Sequence, residues 1–459
     1  MITLGAFIDC MKSRIGLFSV FIVSFMGANA QTWSPVGSGI TGTSVNTTWS
    51  LFAHDSLLYA GGWFNSAGGV SVNDMAQWNG ANWTPTGTGT NGYINAMAWY
   101  NGNLYAGGFF DTIGGVEAND IAMWNGINWA PVGMGMKSQE YGVYSMAVYN
   151  GSLYAGGSFD TVDGKQIFGI ARWDGTNWYP LSTGIYAADE DDGVFALLVY
   201  NGYLYVAGGI DSAGGVPVSE IAKWDGANWS AVGSYTNGPM YALAEYNGSL
   251  YVGGWADTIG GTPANSIAMW NGTSFTPLDS GLYGEPGGSQ VNALISYSGE
   301  LYAGGFFDSV NGQFINCIAK WNGSKWSSVG TGINVGGSII AMTTFNNALY
   351  IGGGFDSAGG TYAKNIAMWT APDGVKEIEE NINISVYPNP ASKIISIDIS
   401  GLSAISDCYI YNELGQQVFA KQLSNSLNGN INVSTYASGV YMIKVISGPK
   451  SYSAKFIKL

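Results

Sequence analysis

Six aspartates recur along this chain at near-regular intervals: Asp111, Asp160, Asp211, Asp257, Asp308 and Asp356, with Asn65 in the same column once. Ca²⁺ takes oxygen ligands, so a ring of such carboxylates is a candidate metal set, and Ca²⁺ is the one cofactor suggested. The local alternative is a turn. Asp-[Ser/Thr]-x-x-Gly is also an Asx pattern, in which the carboxylate accepts nearby backbone N–H groups. A denser acidic group, Asp189, Glu190, Asp191 and Asp192, could hold a cation or a basic partner, or be a solvated charge run. Glu245 stands alone where the related positions carry Trp99, Val148 and Val199. It reads as a lone acid or a channel-lining group, because no second carboxylate completes the pair that glycoside hydrolysis uses. Just before the Asp column stand Trp63, Phe109, Trp255 and Phe306, against Ser158, Gly209 and Gly354 elsewhere. Such aromatics either stack on sugar rings or pack between repeats.

Other chemistries have few residues to work with. His54 is the only histidine and occupies a column otherwise held by Tyr100, Tyr149, Tyr200, Tyr246, Tyr297 and Phe345, so it reads as a structural aromatic substitute. Cys317 replaces Asp120 and Glu220 in a polar column and has no nucleophile motif around it. There is no Ser-His-Asp pattern, phosphate loop or cofactor motif. The net charge of −15 argues against nucleic acid, which needs a basic footprint. Carboxylate-only hydrolysis is the catalytic class left open, and the balance leans toward a protein that is not an enzyme.

These residues are carried on a repeat. "LY" occurs at 58, 104, 153, 204, 250, 301 and 349, a period of 46 to 51 residues. One copy runs "INAMAWYNGNLYAGGFFDTIGGVEANDIAMWNGINWAPVG" (94–133). It reads as four antiparallel strands, with "NG" supplying the positive φ that a tight hairpin needs. From each LY tyrosine to the next Trp is 19 residues in every copy, so length varies only between the fourth strand and the next repeat. A period near 50 with this composition predicts a β-propeller, one blade per repeat. The seventh repeat stops at "IAMWTAPDG" (366–374) without a fourth strand, whereas "TWSPVGSGI" (32–40) is a fourth strand without a repeat. The N-terminal strand is therefore expected to complete the last of seven blades, removing two free sheet edges at once. The two short-turn connections of each blade define a trimmed face. The long second-to-third loops and the crossovers define the other face, where binding is expected.

Lys12 and Arg14, the apolar run Ile15 to Met26 and "ANA" (28–30) form a signal-peptide pattern over 1–30, with Met11 an alternative start and Gln31 the expected mature end. Cys317 and Cys408 lie in different segments, so no disulfide framework is expected. A polar linker, 371–383, separates the repeats from a segment of six or seven alternating strands, a small Ig-like β-sandwich at 384–459.

The repeat resembles kelch-type propellers, and more closely those of the cortical polarity-marker type, over 31–370. That resemblance implies an all-β fold, a seven-bladed propeller, and leaves activity open, since propellers host many functions. The tail carries "YPNP" (Pro388, Asn389, Pro390), "IYNELGQQV" around Gly415, "GVYMIKV" with Gly439 and Tyr441, and "KFIKL" with Lys455 and Lys458. In that order these resemble the type A C-terminal sorting domain of type IX (Por) secretion substrates. The resemblance implies passage through the type IX machinery and a secreted or outer-membrane-surface location, with attachment to surface lipopolysaccharide in some members. The expected protein is thus an exported, monomeric propeller that binds glycan or protein. A secreted carbohydrate-active enzyme and a structural surface component are the alternatives.

Overall fold

The structure is a computed structural model that describes residues 32–42, 47–187, 192–284, 288–371, 383–400, 407–412, 416–422, 430–447 and 450–459. The signal segment 1–30, most of the linker, Asp189, Glu190, Asp191 and Gly415 lie outside these residues. The described chain is all-β, with no helix, and falls into two compact units that divide between residues 373 and 374.

Among the described residues the first unit holds six four-stranded antiparallel sheets and, third in order, a five-stranded one in which Lys165–Gln166 pairs beside the same four-strand path. In the second of them, Tyr93–Tyr100, Asn103–Phe109, Ile121–Trp124 and Trp129–Pro131 pair in chain order. Asn101 and Gly102, at φ 48° and 78°, make the hairpin that the "NG" signal predicts. The third-to-fourth turn is looser than a two-residue hairpin. Asn125 Oδ1 accepts N–H groups from Ile127 and Asn128, and Asn79, Asp174, Asp225, Asn271 and Asn322 do the same in their sheets. Among the described residues of the first unit, the Asx turn that recurs from sheet to sheet lies here, at the third-to-fourth turn. The sequence also gives no hint of the two short strands inside the long second-to-third loop, such as Thr112–Ile113 with Val116–Glu117.

Thr32–Pro35 pairs with Ile366–Thr370, and Trp33 faces Trp369 across the ladder, as the incomplete seventh repeat predicts. Each first strand lies against the first strand of the next sheet, and Ser338–Phe345 of the seventh lies against Thr47–His54 of the first. Three residue types carry this succession. The fourth-strand indole reaches back to a carbonyl of the preceding sheet: Trp83 Nε1 donates to Val36, Trp129 Nε1 to Thr86, and Trp33 Nε1 to Val329, at 3.0–3.1 Å. The tyrosine that ends five of the seven first strands reaches forward to the next hairpin, as Tyr100 Oη does to the Gly151 carbonyl. His54, in the same column, stacks on Trp99 of the next sheet at 3.8 Å, which bears out its structural reading.

In six of the seven sheets a glycine follows "LYA", "LYV" or "LYI" and sets how closely the sheets approach. A Cβ on Gly61, Gly107 or Gly352 would sit within 2.6–2.7 Å of Ile94, Val143 or Thr48, the β-branched residues opening the next first strand. The fourth sheet carries Ala207 in this column, and there the next sheet offers unbranched Met240, packed in the same cluster. Met bends around a methyl where a stiff β-branched side chain cannot. Met240→Ile should therefore lower unfolding stability by roughly 1–3 kcal/mol through overpacking. Ala207→Gly should restore most of that loss in the double variant. Equal losses in single and double variants, measured by denaturant unfolding, would refute the pairing.

The second unit has seven strands in a three-stranded and a four-stranded sheet, around a core that includes Ile395, Ile410, Tyr441, Ile443 and Phe456. Its motif residues hold the C-terminal strand Lys450–Lys458. Asn389 Oδ1 accepts from Ile457 N (2.9 Å), and Asn389 Nδ2 donates to the Lys455 carbonyl (3.2 Å). The bonds preceding Pro388 and Pro390 are both cis. Gly439 opens the neighbouring strand. Tyr441 is buried, stacks on Phe456 and donates its hydroxyl to Ala437, while Lys455 is exposed and Lys458 buried.

Candidate functional site

First strands run from the crossovers toward the short hairpins, and second strands run back. Residues that end a second strand or open a first strand therefore meet on the long-loop face. Trp63 ends Leu57–Trp63, Phe109 ends Asn103–Phe109, and Tyr93 opens Tyr93–Tyr100 and pairs with Phe109. A bulge in Thr47–His54 lies between Thr48 and Ser50, which leaves Trp49 between them without a ladder partner. Trp49 stands edge-on to Tyr93 at 4.5 Å and to Trp63 at 6.5 Å. Trp63 and Tyr93 lie nearly parallel with centroids 5.9 Å apart, and Phe109 tilts against Tyr93 at 5.6 Å. Trp63 is 50% exposed despite these contacts.

Trp63, Tyr93 and Phe109 of this group wall a cavity of ≈ 260 Å³ whose other lining includes Asp74, Asn91, Phe110 and Asp111. Asn91, in the crossover, accepts the backbone N–H groups of Asp111 (3.0 Å) and Thr112 (2.9 Å) and so fixes the rim. Asp74 occupies the left-handed region at φ 62°, and its Oδ1 accepts Phe64 N at 2.7 Å. Burial pushes its carboxyl up to about 6 against that hydrogen bond. Asp120 and Glu220 stand in the same column of their own sheets, again at positive φ, and accept from Phe110 N and Ile210 N. Burial raises them to about 6 and about 7, and for Glu220 the charges of Asp192 and Asp211 add to the effect.

The structure brings two of the expected aromatics, Trp63 and Phe109, to one cavity. Trp255 (52% exposed) and Phe306 (45%) occupy the same column in the fifth and sixth sheets, outside this cavity. Asp192 packs its carboxylate over Gly209, where a Cβ would meet it at 2.1 Å. Glu245 is exposed beside the hairpin at 247–248, at the opposite end of its sheet from the aromatics, so it does not join the long-loop acids. In the aspartate column the shared contact is made by the backbone. The carbonyls of Asp111, Asp160, Asp211, Asp257, Asp308 and Asp356 accept from the far side of the second-to-third loop. Side chains vary: Asp160 accepts from Thr161, and Asp356 pairs with Lys364. For Asp111 and Asp356, the Asx acceptor at this loop is an asparagine from the crossover, Asn91 or Asn334. Among the described residues no group of three or more His, Cys, Asp or Glu stands where it could hold a metal.

Asp74, Tyr93 and Asn91 are the site residues that sequence reasoning missed. Tyr93 and Asn91 lie near crossovers of variable length, which no repeat alignment registers. A usable signal existed for Asp74: its column holds Gly169, Ser266, Cys317 and Asn365 in other sheets. A carboxylate among small neutral residues marks a charge that the turn itself does not require.

Residues 385–459 match the family model of the secretion system C-terminal sorting domain. No curated protein matches the chain. Similar solved structures include the computationally designed Ika8 protein, at 13% identity over 74% of this chain and 93% of that one, TM-score 0.42. YjhT is similar at 13% identity over 73% and 98%, TM-score 0.36. A Bacteroides ovatus structure titled xyloglucan PUL GH43B is similar at 10% over 93% and 92%, TM-score 0.28. At these scores the likenesses carry no functional weight. The tail is a type IX sorting domain. It engages the type IX secretion machinery, and the chain is exported to the cell surface or secreted.

Asn365 makes the same bond from the same column, its Oδ1 accepting Phe355 N. Asp74→Asn should therefore keep the turn while removing a charge that burial disfavours. A carboxyl whose folded pKa is raised costs nothing while protonated in both states, below about pH 4. It destabilises increasingly as pH rises toward 6, and fully above that. The variant should match the parent at pH 4 and gain roughly 1 kcal/mol at pH 7.5, allowing for solvent screening at a part-exposed group. A gain independent of pH in denaturant unfolding would refute this account.

Proposed function

We propose that residues 31–370 form a kelch-like seven-bladed propeller closed by the N-terminal strand, and that it serves as a surface-displayed or released glycan-binding module. The observation that carries this reading is the cavity walled by Trp63, Tyr93 and Phe109 and rimmed by Asn91, Asp74 and Asp111. Sugar rings present C–H faces that stack on aromatic planes and hydroxyls that pair with amides and carboxylates. Few polar groups set in an aromatic wall is the usual make-up of a small-molecule site.

A glycan array probed with the full-length protein should give selective binding that Trp63→Ala weakens at least about tenfold, the scale expected of an aromatic anchor. Trp255→Ala, outside the cavity, should leave binding intact, and so should chelation of divalent cations. A blank array would return the domain to protein partners or a structural role.

Hydrolysis is the second reading. Asp74, with its raised carboxyl, and Asp111 line the same cavity, and two carboxylates are the minimum for that chemistry. Release of reducing ends that Asp74→Asn abolishes would establish it over simple binding.

A further inference from the structure

The aromatic cavity does not end at Asp111. A second cavity, of ≈ 470 Å³, opens on the other side and shares Phe109, Phe110 and Asp111 as a common wall. Its remaining lining includes Asn119, Asp120, Met134, Lys137, Ser138 and Thr161. The far wall is specific to the third sheet. There Met136–Tyr149 and Ser152–Val162 run 14 and 11 residues, and Lys137 pairs with Thr161 beyond the point where other sheets have separated. The extra length carries the ladder past the usual rim and encloses the space next to Phe109.

The two cavities differ in character. The first is walled by aromatic rings. The second has amide, hydroxyl, ammonium and carboxyl groups around Met134 and the phenylalanines. The first alone falls below the roughly 300 Å³ at which enclosed small-molecule sites begin, whereas the two in series are well inside that range. Asp111 is exposed on the ridge between them, placed to accept hydroxyls from either side.

We infer that the ligand is a linear, hydroxyl-rich oligosaccharide chain lying across the Phe109–Asp111 ridge, with one portion stacked in the aromatic cavity and the next held in the polar one. This rests on the glycan reading above and adds that a chain, rather than a terminal sugar, is recognised. Once the first portion is seated, the second binds from a high effective concentration, so affinity should grow with chain length until both cavities are filled.

The test is calorimetric titration of the full chain with cello-, xylo- and manno-oligosaccharide ladders of one to six residues. For at least one ladder, affinity should rise about tenfold or more between two and four residues and then level off. Lys137→Ala and Met134→Ala, at exposed positions that the fold does not need, should remove that rise and leave disaccharide affinity unchanged. Trp63→Ala should weaken every length. Affinity that depends on Trp63 but stays flat with length would overturn the chain inference alone. No binding of any ladder, together with a blank array, would overturn both readings.

Discussion

The close approach of neighbouring sheets governs this molecule. It rests on a missing methyl group. Where Gly61, Gly107, Gly156, Gly253, Gly304 and Gly352 face the next first strand, a Cβ would meet a side chain at 2.4–2.7 Å. Remove that allowance and the fourth-strand indoles no longer reach the carbonyls of the sheets before them, nor the first-strand tyrosines the hairpins of the sheets after them. The fourth sheet supports this account, since it gives up the glycine and takes a pliant methionine opposite. Such correlated exchange is what a packing constraint produces, and a requirement for backbone freedom alone would not explain it.

The site follows from the same geometry. Sheets packed this tightly deliver the ends of their second strands and the starts of the next first strands to one rim. Aromatic side chains there are held apart from their own hydrophobic cores. The αL turn before each third strand needs a hydrogen-bond acceptor or a small residue. Asn365 meets that need with a neutral amide oxygen, and Ser266 with a small side chain whose hydroxyl donates to the Ser289 carbonyl. Asp74, Asp120 and Glu220 meet it with carboxyls, buried in Asp120 and part-buried in the other two, whose ionisation burial disfavours. Carboxyls shifted by burial in this way are candidates for contact with a ligand.

Much of this was legible in the chain. Fixed spacing from LY tyrosine to Trp located the strands, and the unmatched "TWSPVG" predicted the Trp33–Trp369 pairing. The column of His54 correctly marked it as an aromatic substitute. Comparing repeats also nominated Trp63 and Phe109, because a side chain that varies on a constant scaffold stands out. The same comparison misjudged the aspartate column: it credited to carboxylates a contact that backbone carbonyls make, and spacing cannot tell the two apart. It was blind to Tyr93 and Asn91, whose places depend on how each crossover happens to bend. Which neighbouring aromatics share a cavity is a property of three dimensions, and no column of letters contains it.

The strand borrowed for the seventh sheet also bears on how the molecule is assembled. Thr32–Pro35 and Ile366–Thr370 are separated by more than 300 residues, so their ladder closes one of the longest loops in the domain. Loop-closure entropy grows only slowly with length, but contacts this distant form late and slow the search. Until they form, both strands are open templates for any passing chain. The hazard is therefore one of timing. The first unit is safest when these two strands meet quickly, because without Thr32–Pro35 the edge of Ile366–Thr370 stays open to pairing with another chain.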